Sequence, residues 1–266
     1  MDKKIILRSL LVVATLVGIT VLQMCKPQAP ASVSGSDAAV KAYVPPGQYD
    51  EFYNLVSGGF SGQMSVYGLP SGRLFRVIPV FSEDPTTGYG YSEETKAMLN
   101  TSHGYVPWDD LHHPAVSTTN GEHDGRWVFG NANNTPRVAR IDLKTFRTSE
   151  IIELPNSGGN HSSPFITENT EYVVAGTRFS VPVGDKTDVA ISTFKENFKG
   201  YISFISVDPK DGKMNIAFQL KTPGVSFDLA RAGKGPSHGW FFFSCYNTEQ
   251  AYTLLEVNAS QKDKDF

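Results

Sequence analysis

From Arg73 onward the chain repeats one pattern. Short runs of alternating apolar and polar residues are cut by turns of Asp, Asn, Gly and Pro, as at 73–81, 125–130, 137–143, 147–154, 171–177, 200–207, 214–220, 240–246 and 251–257. Period-two alternation over four to eight residues specifies a strand, because successive side chains of extended backbone face opposite ways. The stretch 208–213, Asp-Pro-Lys-Asp-Gly-Lys, is a hairpin turn between two such runs. The only helix the pattern predicts is short, at 92–99. The expected fold class is therefore all-β. Meander strands recurring in units of about 45 residues match propeller blades. Residues 124–143 read as the centre of one blade, and 199–209 repeats the closing half of another. A β-sandwich also uses many short strands and is the competing architecture. About 220 residues would give four or five blades, and 262–266 adds no closing strand. Open blades leave unpaired sheet edges, so the expectation is a partial β-propeller, truncated from a longer protein.

Ahead of the strands lies a targeting segment. Lys3, Lys4 and Arg8 precede an apolar run from Leu10 to Leu22. That run falls short of the ~20 residues of a spanning helix and suits a secretory signal. There is no twin-arginine pair, which predicts Sec-type export to the periplasm. Cys25 follows Leu22-Gln23-Met24, an imperfect lipoprotein signal. Two readings stand: a lipid anchor on Cys25, or an ordinary signal peptide with an incidental cysteine. The expected organisation is a signal peptide over 1–25, a flexible Ala/Ser/Pro/Gly linker over 26–48, and propeller blades over 49–266. A net charge of -3 gives no basic footprint for nucleic acid. Two cysteines, Cys25 and Cys245, supply neither a disulfide framework nor a paired zinc or iron–sulfur spacing. Cys245, alone on a strand, is expected to be buried packing.

The chemistry concentrates in Trp108-Asp109-Asp110-Leu111-His112-His113-Pro114. Neutral imidazole is a ligand for zinc, copper, iron and nickel. Neighbouring side chains on a straight strand diverge, so His112 and His113 are expected to fan out at a strand end made by Pro114. Two histidines reaching different ions point to a metal cluster. Asp110 lies two residues before His112, where a carboxylate can take the other ring N–H and set the tautomer. A third candidate ligand, His161, follows a strand end and the turn at 155–160. The plainer alternative is a set of turn histidines satisfied by Asp109, Asp110 and water. His103, His123 and His238 read as surface histidines. Asp228 reads as a turn carboxylate or a partner of a metal ligand.

Asp-x-His-His-Pro, followed by Asp124-Gly-Arg-Trp-Val-Phe129, Ala132-Asn133 and Arg137-Val-Ala-Arg-Ile141, resembles the first blades of nitrous oxide reductase. Leu154-Pro155-Asn156 leading to His161, then 217–219 and 244–249, continue the likeness, which covers about residues 50–266. The resemblance implies a seven-bladed propeller holding a four-copper, sulfide-bridged cluster on seven histidines. His112, His113 and His161 would be three of them. It also implies a C-terminal cupredoxin domain with a dinuclear copper centre, beyond Phe266. Asp110 corresponds to a carboxylate that orients a ligand histidine, and Asp228 to another. Tyr246, through its carbonyl, Glu249 and Asp265 correspond to calcium ligands. The family's thioether ligand falls near Val257, with no methionine close by. Ser162-Ser163-Pro164 after His161, and the plain signal, resemble the Sec-exported branch of the family. The implied reaction is reduction of nitrous oxide to dinitrogen and water in denitrification. A periplasmic cytochrome c or cupredoxin would donate electrons to a homodimer. Two other classes compete: an envelope-anchored propeller binding module without redox activity, and a zinc-dependent hydrolase.

Overall fold

A computed structural model describes residues 38–161, 164–184, 186, 188–222 and 224–248. Contacts divide the chain into a unit ending at Tyr49 and a unit beginning at Asp50. Of the first, the described part is a short helix, α1 (Ala38–Ala42), and a turn closed by Gln48 N–H donating to the Pro45 carbonyl. Cys25, Glu249 and Asp265, and the predicted strand at 251–257, lie outside the described residues.

The second unit is a partial β-propeller made of successive antiparallel sheets. The first has three strands: β1 (Phe52–Ser57), β2 (Gln63–Leu69) and β3 (Leu74–Pro79). A connection carries α2 (Glu93–Met98), capped by the Ser92 side chain accepting from Thr95 N–H, and a small hairpin, β4 (Asn100–Thr101) and β5 (Gly104–Tyr105). Two complete four-stranded meanders follow. One is β6 (Leu111–Thr119), β7 (Glu122–Ala132), β8 (Arg137–Asp142) and β9 (Arg147–Glu153). The other is β10 (Phe165–Ile166), β11 (Tyr172–Gly176), β12 (Gly200–Val207) and β13 (Met214–Thr222). Before β12, α3 (Phe194–Asn197) forms one helical turn. The hairpin β14 (Gly224–Ala232) and β15 (Phe241–Thr248) ends the described part. The helix predicted at 92–99 is present; α1 and α3 are further short helices that the strand pattern did not suggest.

The sheets stack face to face, and the second half of β7 and most of β8, β11 and β12 are buried on both sides. On β7, Val128 packs toward the first sheet while Trp127 and Phe129 pack toward the third. On β11, Val173 and Ala175 face the second sheet and Val174 faces the last hairpin. On β12, Phe204 and Ile205 are neighbours yet pack into different layers, as alternation requires. Ile205 and Val207, two residues apart, share one layer, and the register irregularity at this point puts its extra residue, Ala217, on β13. Such two-sided burial fits the unbroken apolar stretches at 127–129 on β7 and 172–175 on β11.

Polar ties lock adjacent sheets. The predicted 208–213 turn closes with Asp208 N–H on the Lys213 carbonyl and seats Gly212 (φ 77°) against the Trp127 ring, where a Cβ would come within 2.6 Å. Arg126 and Arg140 donate to the Pro209 and Asp211 carbonyls of that turn at 3.2 and 3.0 Å. β6, β10 and β14 are the first strands of their sheets, and each lies beside the next. The starts of β6 and β10 and the middle of β14 carry the candidate site.

Candidate metal centre

Pro114 does not end the strand, as the sequence suggested. β6 runs through it to Thr119. Instead, His112 pairs with Asn131 and Ala115 with Phe129, so β6 carries one extra residue over this interval. This bulge holds His113 at φ 42°, in the left-handed region. A bulge re-aims side chains, and this one removes the divergence expected of neighbouring strand residues. The two imidazoles lie on the same side, with ring centroids 5.1 Å apart.

Approach to the bulge is fixed from beneath. Asp109 and Arg137 are fully buried, with Asp109 Oδ2 3.5 Å from Arg137 Nη2. Arg137 also donates to the Val106 and Trp108 carbonyls at 3.0 and 3.3 Å, and to Thr135 Oγ1 at 2.7 Å. Asp109 accepts from the backbone N–H groups of Asp110 and Asn134. The segment entering His112 is thus held by a buried charge pair and not by strand pairing alone. Arg137, which the sequence reading placed on a strand without a role, anchors the site.

His161 arrives on a loop held at several points. Asn156 takes a left-handed conformation (φ 58°) and bridges to Gln219 Oε1 at 3.1 Å. Gly159 passes so close to Asn133 that a Cβ would lie 2.2 Å from its carbonyl oxygen, and Asn160 N–H donates to the Ala132 carbonyl. The loop thereby brings the His161 ring to centroid distances of 4.8 Å from His112 and 5.1 Å from His113. Potential ligand atoms of the three histidines all lie within 4.8 Å of one another. Ligand atoms around one tetrahedral ion with bonds of about 2.1 Å are only about 3.4 Å apart. The three rings are thus close enough to share a metal site.

Two carboxylates complete the arrangement. His161 Nδ1 hydrogen-bonds Asp228 Oδ1 at 2.7 Å. Asp228 sits in a second bulge, since Phe227 pairs with Cys245 and Ala230 with Phe243. His112 Nδ1 lies 2.9 Å from Asp110 Oδ1, although the angle is too poor for a hydrogen bond and neither atom has another partner. Asp110 is itself held by Asn133 Nδ2, which donates to Oδ2 at 3.2 Å. With both Nδ1 atoms turned to carboxylates, the Nε2 atoms of His112 and His161 remain as donors to an ion. Burial lowers the His113 pKa, and the neighbouring His112 lowers it further against Asp228 and Asp110. Burial also lowers that of His161, aided by the Arg178 charge and opposed by the Asp228 hydrogen bond. Both rings favour the neutral form that a metal requires.

Of the remaining sites, His103, His123 and His238 are exposed as expected, although His123 lies on β7 and not in a loop. Cys245 corrects its prediction: it is exposed. Tyr246 lies on β15.

The chain is 33% identical over 233 residues to a nitrous-oxide reductase of Pseudomonas fluorescens, covering 87% of this chain and 35% of that protein. It is 30% identical over 224 residues to a nitrous-oxide reductase of Stutzerimonas stutzeri, covering 84% and 34%. The chain thus spans about a third of the length of these curated relatives. No protein-family model matches it. Among solved structures, Kuenenia stuttgartiensis hydrazine synthase aligns with a TM-score of 0.47 at 14% identity, covering 77% of this chain and 51% of that one.

Proposed function

We infer, from a chain related to the nitrous-oxide reductases, that His112, His113 and His161 are copper ligands of an enzyme that reduces nitrous oxide to dinitrogen and water with two electrons and two protons. The observation that carries this reading is the convergence of three imidazoles from two sheets, two of them backed by carboxylates. The donor set fits the metal: imidazole suits copper, and two of the rings have lowered pKa values.

When bound, a reduced copper cluster would supply electrons and a binding place for the gas. The chain's own part is positioning. Asp228 holds His161 by its Nδ1, and Asp110 faces Nδ1 of His112, so both rings present Nε2 in a fixed direction. The two bulges set where those groups point, and the stacked sheets behind them support the bulged strands.

The rest of the reading rests on the resemblance in sequence to the nitrous oxide reductases. The full enzyme would carry further cluster ligands and a dinuclear copper domain. It would work as a periplasmic homodimer reached by Sec export, with Cys25 as a lipid anchor, and take electrons from a cytochrome c or cupredoxin. Tyr246, Glu249 and Asp265 would bind calcium, for which oxygen ligands are suited.

Metal analysis of the copper-loaded full-length protein, with gas chromatography of nitrous oxide consumption, tests this. Expected are several coppers per chain and turnover that His112→Ala and His161→Ala each abolish. One equivalent of zinc without copper, or unchanged turnover in both variants, would overturn it.

A further inference from the structure

Among the described residues, every buried side-chain nitrogen or oxygen without a hydrogen-bond partner belongs to one place: Asp110, His112, Asn131, Asn133 and Asn160. Buried polar groups are ordinarily paired, and each exception calls for a cause. Asn131 is the extreme case. It is 0% exposed, and neither its Nδ2 nor its Oδ1 has a partner. It pairs across the strands with His112. Directly opposed residues share a face, so its carboxamide lies on the side of His112, away from the core layer that Leu111 and Ala132 enter. Asn160, 1% exposed, is tied by its backbone to Ala132, and its Nδ2 is unpartnered. Asn133 leaves its Oδ1 unpartnered while donating to Asp110.

The chemistry of these atoms identifies what they take. Nδ2 of Asn131 and of Asn160 are donors. Oδ1 of Asn131, Asn133 and Asp110 are acceptors. An anion would need donors alone and a cation acceptors alone. A mixed set suits a small species that donates and accepts, which is water; buried waters typically make about three hydrogen bonds to such groups. Exchanging the amide atoms of Asn131 leaves the argument intact, since both are unpartnered.

We propose that Asn131, with Asn160 and Asn133, forms a buried water site behind His112, and that Asn131 is a positioning residue which, through that water, holds Asp110 in the orientation that directs the His112 ring. The water-binding part stands on the amides alone. The positioning part rests on the reading of His112 as a copper ligand.

Three variants of the full-length protein test it. Asn131→Leu matches the side chain in size and removes both polar atoms. Asn131→Ser keeps a donor and an acceptor and leaves room for water. If the amide holds water, Leu lowers the thermal midpoint of the metal-free protein and Ser recovers most of the loss. Copper affinity by chelator competition should fall about tenfold in the Leu variant, as for other groups that orient a metal ligand. The Ser variant should stay within about threefold. The Cu(II) electron paramagnetic resonance spectrum should shift in Leu, as in Asp110→Asn. A Leu variant with a raised midpoint and unchanged copper affinity would overturn the proposal, because replacing an idle buried amide by an apolar group is stabilising. Equal losses in Leu and Ser would also overturn it, by showing that only shape matters. If the wild-type protein binds no copper, the functional reading fails, and the midpoints of Leu and Ser still decide the water site.

Discussion

Replacing Arg137 by methionine tests whether the histidine bulge depends on a buried charge pair. The guanidinium is fully enclosed. It donates to Val106, Trp108 and Thr135 and, at 3.5 Å, to Asp109 Oδ2. Its planar face also covers the Phe81 ring at 5.0 Å. Methionine fills much of the volume but removes the charge. Breaking one side of a buried pair costs about 3–5 kcal/mol, because the other charge stays in the interior. Asp109 would keep its donors Asp110 N–H, Asn134 N–H and Thr135 Oγ1, which draws the cost toward the lower end. The Val106 and Trp108 carbonyls would lose a donor, at about 1 kcal/mol each. A loss of about 5 kcal/mol is therefore expected. Urea unfolding with an unchanged slope would read it directly. The double variant Asp109→Asn/Arg137→Met, which removes both charges, should recover about half. Copper affinity should fall in the single variant, since Trp108 to Leu111 leads into His112. A loss below about 1 kcal/mol, or a double variant less stable than the single one, would refute the reasoning.

Two further outcomes follow from the geometry. Gly159→Ala would set a Cβ 2.2 Å from the Asn133 carbonyl oxygen. Backbone must move, at about 1–3 kcal/mol, and copper competition should show at least tenfold weaker binding as His161 shifts. Acidification should weaken the metal-free chain. His113 and His161 have folded pKa values below the ordinary value of about 6.5, so the unfolded chain binds more protons as pH falls through 6.5 toward the folded values, and stability drops there. Urea midpoints between pH 8 and pH 5 should fall more steeply than in His113→Asn/His161→Asn; equal slopes would contradict the assignment.

Strand identity was legible because it is local. β8 and β12 could be read from alternation, and the 208–213 hairpin from its Asp-Gly turn, since each involves only neighbouring residues. The three histidines were legible from residue type and from what precedes them. Other features depended on partners far along the chain. Arg137 looks like any strand arginine until Asp109 lies beneath it. Asp228 could have been any turn carboxylate until its bulge carried it to His161, 67 residues earlier. Cys245 read as core because it stands alone on a strand, and that rule does not reveal that this end of β15 leaves it exposed.

The sequence by itself determined the strands, their turns and the residue types available for a metal centre, because period and turn chemistry act within a few bonds. Only tertiary structure decided that His112 and His113 face the same way. Pro114 suggested a strand end, but pairing with β7 continues past it. The extra residue is absorbed as a bulge instead, because Leu111 and Val116 must both reach the core shared with the first sheet. Packing on either side of the bulge sets its place, and the bulge in turn aims the two imidazoles.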